Sequence, residues 1–119
     1  MRSPIKAEHW NDANGNPAGG TTFGNGFTIG WQNGPLGQCV DGCVVGGLCA
    51  EGCTRRRQNG TFVEDIIEAA ADRIRYYQDS RFASCHNAQA LMHLGMALEC
   101  LDNRTKERKV RKVEGTHAE

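Results

Sequence analysis

With 119 residues, 39% apolar and 24% charged, the chain has room for one packed domain, or a domain with an appendage. A formal net charge of zero excludes the large positive excess on which bulk nucleic-acid binding depends. No apolar run reaches the roughly 18–20 residues of a membrane span, and "MRSPIKAEHW" lacks a signal-peptide core, so a cytoplasmic protein is expected.

Residues 1–60 are expected to be β-rich and full of turns, because thirteen of the fifteen glycines fall there. In "FTIGWQNG", Phe27, Ile29 and Trp31 alternate with Thr28, Gly30 and Gln32, the period-2 pattern of a strand with one covered face. Asn14-Gly15, Gly24-Asn25-Gly26 and Asn33-Gly34 supply turn chemistry. A loop insertion over 39–53 then carries Cys39, Cys43, Cys49 and Cys53 in two C-x3-C pairs. Four thiolates could fold such a loop around a structural zinc, although the spacing is not the usual C-x2-C. Free thiols in an ordered loop and a disulfide are the alternatives, the last disfavoured in the cytosol. No cofactor is expected otherwise.

Residues 61–119 are expected to form a helical hairpin. Thr61 and Glu64 have the spacing of a capping box. Val63, Ile66, Ile67, Ala70, Ile74 and Tyr77 then recur at helical spacing up to about Gln78. Asp79-Ser80 breaks the run. A second helix from near Ser80 to Ser84 carries Ala88, Leu91, Leu94, Leu98 and Leu101, and extends to about Lys112. Cys85 and Cys100 fit as small core residues. A short connection makes the pair antiparallel, and two helices alone leave apolar surface for the sheet or a second subunit to cover. The fold class is therefore α+β: a small N-terminal antiparallel β region, then a long antiparallel helical hairpin that oligomerises through its helices.

Beyond Leu101 the second helix turns basic, "RTKERKVRK", and Arg104, Arg108 and Arg111 are expected to continue its leucine row. Long cations commonly end helices, where they complement the dipole. Arginine on the core-side row, followed by Gly115, Thr116 and His117, points instead to a cradle for a phosphorylated small molecule. The helix connection offers Phe82 for stacking and Asn87 for polar recognition. Because the second helix is roughly 40 Å long, one subunit's Phe82 cannot meet its own Arg108, and a shared ligand would need two antiparallel subunits.

These residues carry a resemblance. "NGTFVEDIIEAAADRIRYYQDSRFASCHNAQAL" and "ALECLDNRTKERKVRKVEGTH" resemble the hairpin shared by the phage anti-Thoeris sponge family and the anti-CBASS cyclic-nucleotide sponges. "FGNGFTIGWQNGPLG" resembles the β region of the anti-Thoeris type. Two departures stand out: "FASCHNA" where "FACRENA" is usual, and the cysteine-rich insertion.

The resemblance implies a non-enzymatic homo-oligomer, dimers assembled to a hexamer, in the host cytoplasm. It would sequester glycocyclic ADP-ribose between subunits, with some members also taking cyclic di- or trinucleotides. It further implies that Phe82 stacks on a base, Asn87 contacts it, Arg104 and Arg108 hold ribose and phosphate, and Thr116 lines the pocket. Arg111, Trp31 and Gln32 join these as candidate ligand residues, and Arg57 is a candidate for a cyclic oligonucleotide near a symmetry axis.

Other classes find less support. No nucleophile–base pair is apparent, Glu64 and Asp65 suit a helix start, and Gly24, Gly26 and Gly30 do not fit a dinucleotide fingerprint. His86 and His93 could share a helix face, but solvated histidines are commoner. A small nucleic-acid-binding or regulatory phage protein, using the basic helix end, is the alternative.

Overall fold

The structure, a computed structural model, describes residues 1–34 and 58–111. The chain is α+β: three strands, β1 (Lys6–Asn11), β2 (Pro17–Gly24) and β3 (Phe27–Trp31), precede two helices, α1 (Val63–Gln78) and α2 (Cys85–Val110). They fall into two compact units, one carrying the sheet and the other comprising Phe62–Val110.

The sheet is an antiparallel meander in the order β1-β2-β3. Its turns rest on the Asn-Gly pairs, since Gly15 and Gly26 adopt φ of 81° and 83°, which other residues rarely tolerate. In the first turn the Asp12 carboxylate also accepts from the Asn14 and Asn16 amides at 2.9 and 3.0 Å. The register puts Ala7, Thr22 and Ile29 side by side on one face, with His9, Gly20 and Trp31 in the next row. Trp31 therefore lies against β2, and its indole N–H donates to the buried Thr22 hydroxyl at 2.8 Å. Thr22→Val keeps the shape and removes that acceptor. It should cost about 1 kcal/mol in urea unfolding followed by tryptophan fluorescence.

After β3, the backbone of Thr61 pairs in parallel with Trp31: Thr61 N–H donates to Gly30 O at 2.8 Å and Gln32 N–H to Thr61 O at 3.1 Å. Side chains reinforce the join. The Gln32 carboxamide oxygen accepts from the Asn59 and Gly60 amides, and the Asn59 side-chain oxygen accepts from the Asn33 amide. Gly60 passes so close that an added Cβ would lie 2.5 Å from the Trp31 carbonyl.

This join overturns the expected capping box. With Thr61 held extended by β3, α1 starts one residue later, at a Phe62 cap that has no side-chain cap bond. Glu64 and Asp65 still favour the helix start through the dipole.

The helices pack through a seam that steps alternately three and four residues. On α1 it runs Glu64, Ile67, Ala71, Ile74 and Gln78, with Ala71 only 2% exposed. On α2 it runs Asn87, Leu91, Leu94, Leu98 and Leu101, and the same phase continues beyond α1 to the half-buried Thr105 and the buried Arg108. That 3.5-residue repeat is the spacing of a coiled-coil contact. It corrects several expectations by one position. Ala70, Tyr77, Val63 and Ala88 are exposed, and Cys85 and Cys100 are exposed thiols opposite the seam rather than core residues.

Among the described residues Ala71 is the one buried hydrophobic, while Tyr76, Phe82, Met92, Met96 and Val110 stand exposed. No helix among them is long and apolar enough to cross a membrane.

Candidate functional site

The connection between the helices is built by side chains that close on backbone. Asp79 ends α1, its N–H donating to Arg75 O and the following Ser80 N–H to Tyr77 O, both at 3.1 Å. The Ser80 hydroxyl donates to Tyr77 O and accepts from the Phe82 amide at 3.1 Å. The Gln78 carboxamide oxygen accepts from Ser84 N–H at 2.8 Å, and the Ser84 hydroxyl accepts from Asn87 N–H at 3.1 Å, the geometry of an N-cap. Ser84→Ala should therefore lower hairpin stability by about 1 kcal/mol, read from thermal melts of helical circular dichroism.

This turn brings two of the expected site residues together. Asn87 donates from its carboxamide nitrogen to Phe82 O at 3.2 Å, so it ties the start of α2 to the aromatic residue. Phe82 is 62% exposed, with the Arg81 guanidinium carbon 4.8 Å from its ring centroid. Near the end of α1, Arg73 lies 4.9 Å from the centroids of both Tyr76 and Tyr77. Sequence reasoning passed over Arg81, Gln78 and Ser84. The signal was present in "QDSRFASCHN", where three short polar side chains flank the aromatic residue and can close on nearby backbone.

The basic residues lie at the far end of α2. Its 26 residues exceed the 16 of α1, so about ten residues of α2 run past the start of the shorter helix. Arg104 is exposed there, and Arg108 is buried, only 7% exposed, and engaged in contacts of its own. The expected arginine row is thus corrected: the covered positions pass from Leu101 to Thr105 and Arg108 in steps of four and three, which keeps Arg108 on the row and leaves Arg104 beside it. Arg111 follows α2 and is exposed. Asn87 and Arg104 are separated by about 25 Å of helix, so the aromatic and basic groups of one chain do not form one pocket.

Trp31 and Gln32 have structural partners in the sheet unit. The Trp31 indole bonds Thr22, and the Gln32 carboxamide holds Asn59 and Gly60. His86 and His93 are both exposed, and no cluster of metal-ligating residues occurs among the described residues. Cys39, Cys43, Cys49, Cys53, Arg57 and Thr116 lie outside the described residues.

No family model matches the chain. A curated relative does: the protein named Thoeris anti-defense 1 of Bacillus phage SBSphiJ7 is 44% identical over 64 residues. The likeness supports the anti-Thoeris family. It covers 54% of this chain and 45% of the anti-Thoeris relative, so the chain spans about half the length of the protein it matches.

Proposed function

We propose that the chain is a phage anti-defence protein that binds a cyclic nucleotide immune signal, glycocyclic ADP-ribose in the first instance and cyclic di- or trinucleotides in the second, without cleaving it. The observation that carries this reading is the 44% identity to Thoeris anti-defense 1. Two features of the hairpin support it. The exposed Phe82, tied to Asn87, offers a face for a base, and the exposed Arg104 offers a partner for phosphate.

Because those groups sit about 25 Å apart on one helix, the reading requires a second copy running antiparallel, so that one copy's Phe82 and Asn87 meet the other's Arg104 and Arg108. Met92 and Met96, exposed one helical turn apart, give such a copy an apolar surface to cover. A homodimer assembled to a hexamer in the host cytoplasm is part of the same proposal. Arg57, Arg111, Thr116, Trp31 and Gln32 remain further proposed contacts, and a zinc in the cysteine segment an accessory one.

Isothermal titration with glycocyclic ADP-ribose tests it. Wild type should bind tightly. Arg104→Ala, which alters an exposed side chain, should lose about tenfold or more in affinity at unchanged melting temperature. Ligand recovered after heat denaturation should be chemically intact. A hydrolysed product would refute the non-enzymatic reading, and light scattering that found only monomer would refute the composite site.

A further inference from the structure

The turn fixes the backbone of Phe82 from both sides: its N–H donates to the Ser80 hydroxyl and its carbonyl accepts from Asn87. An aromatic ring is thus held in solvent by a well-bonded loop. Arg81 lies over that ring, 4.8 Å from its centroid, while Phe82 as a residue stays 62% exposed. A guanidinium on one face leaves the other as the stacking surface, and draws π density away from it. That surface repels a second cation and accepts a neutral heterocycle.

We propose that Arg81 is a specificity determinant that makes Phe82 a one-sided platform for neutral purine rings of phosphorylated nucleotides, and against cationic pyridinium rings. The proposal rests on the nucleotide-binding reading above and adds to it a chemical selectivity and the residue that sets it. A pyridinium stacked on the open face would place its charge about 8 Å from the guanidinium. At that distance the repulsion amounts to roughly a three- to tenfold preference for the neutral ring.

The test uses the full chain and proton NMR titrations with two probes, adenosine monophosphate and nicotinamide mononucleotide. Wild type should move the adenine H2 and H8 resonances upfield, the ring-current mark of stacking, and should favour the adenine probe. Arg81→Met removes the charge but keeps an extended side chain, and it should erase that preference. Arg81→Lys should keep part of it. Arg73→Met, which removes an exposed cation elsewhere on the hairpin, should leave the ratio unchanged.

A preference that survives in Arg81→Met, or the absence of any upfield shift at millimolar probe, would overturn the proposal. Glycocyclic ADP-ribose titrated in parallel separates the two readings. Its binding alongside an unchanged Arg81→Met preference sinks the specificity role alone. Its failure to bind, with the mononucleotide preference intact and Arg81-dependent, sinks the anti-defence reading alone.

Discussion

Ala71→Asp should unfold the helical hairpin, whereas Ala70→Asp, one residue away, should be nearly silent. Ala71 is 2% exposed in the middle of the α1 seam, and Ala70 is exposed. A carboxylate at position 71 must either lose its water without a partner or push α2 away, at a cost of several kcal/mol. At position 70 the cost is the difference in helix propensity, about 0.7 kcal/mol or less. Ala71→Gly, which adds no charge, should fall between at about 1 kcal/mol. Helical circular dichroism through a urea titration reads all three. Equal losses at 70 and 71 would mean that the seam is misassigned.

Gly60→Ala is the second large effect. The added methyl group would sit 2.5 Å from the Trp31 carbonyl carbon and oxygen and 2.6 Å from the Gln32 nitrogen, all backbone atoms that cannot swing aside. Relief requires Thr61 to leave β3, breaking the Thr61–Gly30 and Gln32–Thr61 bonds and drawing Gly60 from the Gln32 carboxamide. Three bonds at about 1 kcal/mol each set the scale, a loss of about 2–3 kcal/mol. Hydrogen exchange should show it first at the amides of Gln32 and Thr61, with α1 and α2 protected as before. Uniform loss of protection across both units would contradict the local account.

Parts of this architecture are legible in the residues. The Asn-Gly pairs mark the β1–β2 and β2–β3 turns, and the alternation of Phe27, Ile29 and Trp31 marks β3, because both signals are local. β1 is different. "KAEHWN" is exposed along its whole length and shows no apolar alternation, so it becomes a strand through pairing with β2 rather than through its own pattern.

The helices were readable as helices but not in phase. A stripe read at 3.6 residues per turn takes in Ala70 and Ala88, and the 3.5-residue seam takes Ala71 and Asn87 instead. Cys85 and Cys100 follow that phase outward. The capping box failed for another reason: Thr61 had a distant competitor for its backbone in β3, and no local window contains Gly30. At the site, Phe82 and Asn87 were recognisable as residue types. Their link through the Phe82 carbonyl, and the stacking of Arg81, depend on how the turn closes.

The pairing of Gln32 and Asn33 with Asn59 and Gly60 has a further consequence. It closes a neck across the chain between Gly34 and Gln58, so whatever is threaded there begins and ends at a fixed point. Once a neck is closed, doubling the length of what lies beyond it adds only about 0.6 kcal/mol of closure entropy. Insertions into that stretch should therefore carry little penalty to the sheet, and the neck is a graft point for a reporter or an affinity tag.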